Sequence, residues 1–288
     1  MDDPAILSYL ARPGKSFRRL STVFEILSPG TTPFAQISWG AIGTIALIYF
    51  GSFFIRGTFG FGSGVPAILL GSYILEPHHA VLLLLTCSSI SHVQFIWHGV
   101  RHADWGVAWV ILVFLIPGVI GGVWVFRELS AAWLTLVLGV VITAIVAISF
   151  TDVMVRLEER VNIRSPWISG TLATLSGWIA GAVGAGANYL TVAYLRHACP
   201  TAAKLRATGF TLSTVSIIGR IIVTSIAGLI SPQIIAETIV LAPVVITGGW
   251  MGARFFRALP GARFDQVFRV FLLLVAISVI GKGIVQVT

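Results

Sequence analysis

Charged side chains are scarce in this chain. Asp, Glu, Lys and Arg make up 10% of its 288 residues, whereas hydrophobic residues make up 56%. Soluble domains carry about 25% charged residues, so this composition, with its mean hydropathy of +0.93, excludes an ordinary soluble protein. Acidic residues are fewer than basic ones, with 11 Asp and Glu against 19 Lys and Arg. The basic residues form no dense patch with stacking aromatics, so nucleic acid is not an expected partner.

Cysteines and buried acids are scarce as well. The two cysteines, Cys87 and Cys199, are isolated from each other and lie in or beside apolar segments. This spacing supplies neither a metal site nor a disulfide framework, and we interpret both residues as buried thiols. No carboxylate lies deep within an apolar segment, and the nearest one, Glu237, lies at a segment start. We therefore expect no metal and no other cofactor.

Apolar segments near the length of a membrane span fill most of the chain. A transmembrane helix needs about 20 such residues. The pattern predicts an all-α, polytopic protein of the cell membrane with about ten segments, at 40–56, 64–75, 80–98, 106–126, 131–150, 167–183, 187–196, 203–229, 234–256 and 265–286. The second and seventh segments are too short to cross the bilayer upright.

The segments group into four regions. These are an N-terminal arm at 1–39, a first membrane repeat at 40–151, a connecting loop at 152–166 and a second membrane repeat at 167–288. Within the arm, Phe17, Leu20 and Phe24 recur at helical spacing, which suits a helix lying in the membrane interface. A disordered basic arm is the alternative.

Two glycine-rich interruptions occupy matching places in the two repeats. The first covers 57–66 and the second 181–188. Each glycine costs a helix about 1 kcal/mol relative to alanine, so both stretches predict a broken helix that forms a hairpin. In lipid, unwound backbone persists only where protein covers it or where it lines a cavity. Paired interruptions of this kind point to the binding site of a transporter.

Other landmarks repeat in the same order. The pairs are Gly60/Gly62 with Gly184/Gly186, Glu76-Pro77 with Cys199-Pro200, Ile116-Pro117 with Ala242-Pro243, Gly121-Gly122 with Gly248-Gly249, and Phe126-Arg127 with Phe256-Arg257. If each interruption forms a hairpin, each repeat has five segments, and an odd number makes the two repeats inverted in the membrane. If each interrupted segment crosses once, the repeats are parallel. The combined length of the pieces around each interruption favours inversion.

These motifs resemble those of a known family. The stretch Gly-Phe-Gly-Ser-Gly-Val-Pro at 60–66 resembles the first-half signature of the sulfite exporter TauE/SafE family, and Gly184-Ala185-Gly186 with 204–208 resembles its second. The likeness covers about residues 40–286. It implies a secondary carrier of small anions such as sulfite, sulfoacetate or other organosulfonates. Ala185 and Ala187 stand where members often have glycine, so the two half-sites need not contribute equally.

The residues themselves also favour an anionic substrate. Half-helix N-termini attract anions, and glycines let backbone amides approach an oxyanion closely. Arg56 and Arg220 lie in or beside apolar segments with no acid to pair with, and an anionic ligand or snorkelling to lipid headgroups would satisfy them. The two interruptions are expected to meet near the bilayer midplane. The candidate binding residues are Arg56, Thr58, Gly62, Ser63, Gly64, Gly184, Gly186, Asn188, Tyr189 and Arg220.

Alternatives to a carrier remain at this point. A passive anion channel fits the same pattern. An intramembrane serine hydrolase would use Ser63 with His92, but its glycine-any-serine-glycine pattern fails at Phe61. Coupling to an ion through backbone carbonyls, through His92, or through a proton on the substrate is open, as is facilitated transport. The expected partners are the anion and the lipid bilayer, with a homodimer as a further candidate. His78 and His79 are expected to face water.

Overall fold

Every regular element in the described part of the chain is helical. The computed structural model describes residues 33–34, 37–59, 63–93, 96–149, 166–184, 195, 199, 201–255 and 284. These ranges form α1 (Trp39–Phe59), α2 (Gly64–Gly71), α3 (Pro77–Val93), α4 (Ile96–His102), α5 (Trp105–Glu128), α6 (Ala131–Ser149), α7 (Pro166–Val183), α8 (Ala202–Ile226) and α9 (Pro232–Phe255). The all-α prediction is confirmed for these residues.

Long apolar helices dominate the structure. Four stretches are long and apolar enough to cross a membrane, namely Trp39–Thr58, Trp105–Glu128, Ala207–Ile226 and Pro232–Phe255. Large apolar side chains on them point outward, including Trp109 and Trp124, which are 64% and 61% exposed on α5. A helix that is apolar on its outer face as well as its inner face is stable in lipid rather than in water. The chain is an integral, polytopic membrane protein.

Several helix boundaries differ from the predicted segments. The first segment was expected to end at residue 56, but α1 continues through Gly57 to Phe59. The segment expected at 80–98 is two helices, α3 and α4, and α3 begins earlier, at Pro77. Proline suits a first helical turn because the N–H that it lacks would have no partner there. The predicted arm, the segments at 187–196 and 265–286 and the connecting loop lie almost entirely outside the described residues.

The short second segment is present as α2, which has 8 residues. Its residues 65–69 are all buried, although the helix is too short to cross a bilayer. It packs against α1 and α3, which cover it. This is the setting in which a membrane protein tolerates a chain that stops and turns within the membrane.

Glycines bring α1 and α9 into backbone contact. A Cβ on Gly248 would lie 2.7 Å from the Phe50 carbonyl oxygen, and a Cβ on Gly252 would lie 2.8 Å from the Phe54 carbonyl carbon. On α1, a Cβ on Gly57 would lie 2.9 Å from the Ala253 nitrogen. Because residue numbers rise together along this contact, the two helices run parallel. Gly57 therefore belongs to the helix as a packing residue rather than to the interruption.

The pair α5 and α7 repeats this contact. A Cβ on Gly118 would lie 3.0 Å from the Thr174 carbonyl carbon, and one on Gly122 would lie 2.8 Å from the Ala182 nitrogen. A Cβ on Gly181 would lie 2.8 Å from the Val123 nitrogen. These helices are also parallel. Each pair joins one helix of the first predicted repeat to one helix of the second.

The two contacts share one register. Gly118 and Gly122 on α5 take the places of Gly248 and Gly252 on α9, each facing a carbonyl of the partner helix. This register corrects the sequence pairing of Gly121-Gly122 with Gly248-Gly249. Two pairs of adjacent glycines are matched when sequences alone are aligned, whereas close helix packing needs small residues one turn apart on the same face of the helix. Gly121 meets only the Trp178 side chain, at an ordinary 3.7 Å.

Side-chain contacts give the remaining helix directions. Asp104 just before α5 contacts Thr208, and Phe126 near the end of α5 lies by Arg220, so α5 and α8 are parallel. The contacts of His92 with Thr214 and of Asp104 with Thr208 make α8 antiparallel to α3 and α4. Tyr49 reaches Ala80, and Arg56 reaches His92, so α1 and α3 are parallel. Thus α1, α3 and α9 run one way, and α5, α7 and α8 run the other.

Candidate functional site

The first interruption places Ser63 beside Arg56. Ser63 immediately precedes α2, is 2% exposed, and makes no side-chain bond to the first turn of that helix. Its hydroxyl oxygen instead accepts a hydrogen bond from Nη1 of Arg56 in the last turn of α1, at 3.3 Å. The amides of Gly64 and Val65 open α2 and have no partner within the helix, as in any first turn. The Arg56 cation and the Ser63 hydroxyl therefore lie together at the start of α2.

Arg56 makes its other polar contact with His92. Nη2 of Arg56 faces Nε2 of His92, which is 3% exposed on α3. Nδ1 of His92 lies 2.7 Å from the Thr214 hydroxyl on α8, and its ring lies 4.9 Å from the Phe210 ring. In the described part of the chain no carboxylate lies within ion-pair distance of Arg56. We call Arg56, Ser63, His92 and Thr214 the first cluster.

The second interruption places Gly184 against Arg220. Gly184 follows α7 with φ +81°, a conformation that side chains other than glycine rarely adopt. A Cβ at this position would also lie 2.5 Å from Nη1 of Arg220. The backbone conformation therefore favours glycine here, and a larger residue would also displace the Arg220 guanidinium. We call Gly184 and Arg220, with the Phe126 ring that lies 5.8 Å from the Arg220 Cζ, the second cluster.

The Arg220 guanidinium is buried without a full set of partners. Its residue is 3% exposed, and among the described residues neither Nε nor Nη2 has a hydrogen-bond acceptor. An arginine at the centre of a span costs about 2.5–3.5 kcal/mol on insertion scales, and unsatisfied donors add to this cost. Such a group is stable when an anion supplies the missing acceptors, and the planar guanidinium binds oxyanions with two parallel hydrogen bonds.

The two clusters lie at different depths. Thr214 and Arg220 are about 9 Å apart along α8, at about 1.5 Å per residue. Gly57, near the first interruption, faces Ala253 near the end of α9, whereas Gly181 faces Val123 near the end of α5. Because α5 and α9 run in opposite directions, the two interruptions are displaced in opposite senses along the bundle axis, and the described residues do not confirm the expectation that they meet at one point. The described residues form two clusters, with no contact that joins Arg56 to Arg220.

The comparison with protein families identifies the chain. The model of the family described as "Sulfite exporter TauE/SafE" matches residues 44–279, which is most of the sequence. The chain belongs to the sulfite exporter TauE/SafE family. This is a family of membrane transporters, and both clusters lie within the matched region. Neither the curated proteins nor the solved structures give a match.

The remaining predicted residues of this TauE/SafE protein have varied positions. Thr58 donates to the Phe54 carbonyl at 2.9 Å and approaches the Gly252 carbonyl at 3.2 Å, so it lies in the α1–α9 contact. Gly64 is the first residue of α2. Gly62, Gly186, Asn188 and Tyr189 lie outside the described residues. Metal-binding groups of His, Cys, Asp or Glu do not occur in the described ranges.

One buried polar network was not predicted. His79 was expected to face water, but its Nε2 contacts Oε2 of Glu237, which is 0% exposed. Oε1 of Glu237 accepts hydrogen bonds from the Phe34 amide at 3.2 Å and from Gln233 at 3.0 Å. Both carboxylate oxygens therefore have partners, and the network joins the segment before α1 to α3 and α9. Nothing in the sequence indicated this pairing, because the two residues are far apart along the chain.

Proposed function

We propose that this TauE/SafE protein is a secondary carrier in the cell membrane that moves a small sulfur-containing anion, such as sulfite, sulfoacetate or another organosulfonate, by alternating access. The observation that carries the proposal is the buried Arg220 guanidinium, whose Nε and Nη2 have no acceptor among the described residues. The anion would bind these donors beside Gly184. The first cluster supplies a second cation, Arg56, at the other interruption, and the proposal has the anion bind at the two clusters in turn during the cycle.

Alternating access fits the arrangement of the helices. In each of the equivalent contacts α1–α9 and α7–α5, a helix of one half packs on a helix of the other half, as a pseudo-twofold axis between the halves requires. Pair by pair, the described helices of the second half run opposite to those of the first: α7 opposite to α1, α8 opposite to α3 and α9 opposite to α5. This supports two inverted repeats, each of five segments when the predicted segments outside the described residues are included. In such carriers, one repeat moves against the other around the bound substrate.

A hydrolase lacks support at Ser63. A serine nucleophile needs a base within hydrogen-bond reach, and His92 is the nearby candidate. Both ring nitrogens of His92 are engaged, one by Arg56 and the other by Thr214. The Ser63 hydroxyl is bonded to Arg56 instead. The cluster is suited to holding an anion rather than to activating a nucleophile.

Transport by the purified protein tests the proposal. The full chain is reconstituted in liposomes, and uptake of ³⁵S-sulfite is measured with and without unlabelled sulfite inside. Carriers show saturable uptake that internal substrate stimulates, whereas a channel shows no such stimulation. We expect Arg220→Ala to reduce uptake at least tenfold, because a hydrogen bond to a charged group contributes about 1.5–3 kcal/mol.

Arg254→Ala is the matched control for Arg220→Ala. Arg254 is exposed and lies on the Trp250 ring, with its Cζ 4.0 Å from the centroid. This variant should transport sulfite like the wild type. Arg220→Lys keeps the charge but loses the planar fork, so partial activity is expected. Full activity of Arg220→Ala in folded protein would refute the assignment of the anion to Arg220.

A further inference from the structure

The contacts of His92 define its protonation state. Arginine carries only hydrogen-bond donors, so Nε2 of His92, which faces Arg56, must accept. The proton of the neutral ring therefore lies on Nδ1 and is donated to the Thr214 hydroxyl at 2.7 Å. Thr214 in turn donates to the Phe210 carbonyl at 2.9 Å. Each group in this series of hydrogen bonds has the partner that a neutral His92 requires.

An anion at the first cluster would compete with His92 for Arg56. The Arg56 N–H groups that now point at Nε2 and at the Ser63 hydroxyl are the donors that an oxyanion would use. Once they turn to the anion, Nε2 of the buried His92 has lost its donor and faces a negative charge. Protonation at Nε2 then provides an N–H that bonds to the anion, and the bound state is stabilised.

We propose that His92 is the proton-binding residue of the transport cycle and takes up one proton when an anion binds at Arg56. This inference rests on the proposed transport function and adds its coupling ion. The proton comes from water and goes to Nε2, while the anion undergoes no covalent change. Anion and proton would then cross together, with Arg56 and the imidazolium balancing a divalent anion.

Among the described residues of the first cluster, His92 is the group that can take up a proton. The helix α1 contributes Arg56, the start of α2 contributes the Ser63 hydroxyl, and α8 contributes Thr214 and the Phe210 ring. Within the ranges that the structure describes, Arg56 is the charged group at this point, and no carboxylate contacts the cluster. His79 lies about 20 Å from His92 along α3, at about 1.5 Å per residue, and both oxygens of its partner Glu237 already have hydrogen-bond partners.

Linkage sets the expected pH dependence. If anion-free His92 is neutral and anion-bound His92 is protonated, one proton is taken up per anion. Binding and protonation are reciprocal, so the affinity for the anion should fall about tenfold for each pH unit of increase across the range in which both states hold. A site built from Arg56 alone, without a titrating partner, would bind a fully ionised anion equally across this range.

The test compares wild type with His92→Gln in proteoliposomes. Glutamine accepts from Arg56 and donates to Thr214 as the neutral ring does, but it cannot be protonated. An inward sulfite gradient is applied, ³⁵S uptake is counted, and a pH-sensitive fluorescent protein in the lumen reports protons. Sulfonate buffers and sulfonated dyes are avoided, because they resemble the substrate. We expect about one more proton per anion in the wild type than in His92→Gln.

The outcomes separate the two proposals. His78→Gln is the matched control on the same helix and should keep the wild-type ratio. If the substrate itself carried the proton as bisulfite, wild type and His92→Gln would show the same number of protons per anion. That result would overturn the role of His92 and leave the carrier proposal standing. Absence of sulfite movement in the wild type would refute the proposed function itself, and the inference with it.

A second measurement covers failure of His92→Gln to fold. The purified wild-type chain is titrated calorimetrically near neutral pH with sulfoacetate, whose sulfonate and carboxylate groups are both ionised there. The titration is repeated in two amine buffers of different ionisation enthalpy. Proton uptake makes the measured binding enthalpy depend on the buffer. Equal enthalpies in the two buffers would overturn the inference, and a difference corresponding to about one proton would support it.

Discussion

Substituting alanine for Gly122 adds one methyl group where two helices already touch. The new Cβ would lie 2.8 Å from the Ala182 nitrogen and 2.8 Å from the Gly181 Cα, and it would also meet the Trp178 carbonyl oxygen. Carbon contacts are normally about 3.5–4.0 Å, so α5 and α7 must separate by roughly 1 Å. A gap of this size forfeits a quarter to a half of the dispersion energy of the contacts that open. Overpacking of this kind costs about 1–3 kcal/mol.

The assay is thermal unfolding of the purified chain in detergent, followed by circular dichroism. Gly121→Ala is the control, because its Cβ would meet the Trp178 ring at an ordinary 3.7 Å. The second contact offers the same comparison on α9. There Gly252→Ala would place a Cβ 2.8 Å from the Phe54 carbonyl carbon. The Cβ of Gly249→Ala would meet only the Phe53 carbonyl oxygen, at 4.0 Å. Gly122→Ala and Gly252→Ala should lower the melting temperature, and their controls should not.

This comparison also tests the register of the repeats. The sequence pairing matched Gly122 with Gly249, whereas the contacts match Gly122 with Gly252. Equal melting temperatures for Gly122→Ala and Gly121→Ala would refute the packing argument. A large loss in Gly249→Ala together with none in Gly252→Ala would refute the register.

Two further predictions concern single buried positions. Gly184→Ala should reduce sulfite transport more than Gly228→Ala. Both glycines have positive φ, +81° and +69°, but only a Cβ at Gly184 would contact Arg220. Equal transport by the two variants would contradict the placement of Arg220. Glu237→Ala should lower the melting temperature, because a buried donor that loses its acceptor costs about 1–3 kcal/mol and the Phe34 amide, Gln233 and His79 would each lose one. Glu76→Ala, at a side chain 64% exposed, should have little effect. Similar melting temperatures for the two variants would contradict a structural role for Glu237.

The sequence predicted what depends on local pattern. Apolar length identified the helices, and glycine density located both interruptions, with α2 beginning at Gly64 after the first and α7 ending just before Gly184 at the second. It placed Gly57 in the interruption because composition alone does not distinguish a glycine that breaks a helix from one that packs. Only the partner helix decides this, since Gly57 faces the backbone near Ala253.

Contacts between distant segments could not be predicted in the same way. His92 was one of two histidines in an apolar segment, and nothing in the sequence places it between Arg56 and Thr214. The pair of His79 with Glu237 is hidden for the same reason. Each depends on which helices are neighbours, and hydrophobic periodicity reports the buried face of a helix but not the identity of its partner.

The asymmetry of the cations bears on the direction of coupling. The backbone contacts of the two halves correspond, with Gly57 in the place of Gly181, so Arg56 corresponds to Ala180. The cation at the second interruption comes instead from α8, as Arg220, and it has no histidine contact among the described residues. A symmetric backbone permits two equivalent states that open to opposite sides. If His92 binds the proton, protonation takes place at the first cluster alone, so the two states differ in proton affinity although their backbones correspond. A proton gradient could then favour anion binding on one side of the membrane over the other.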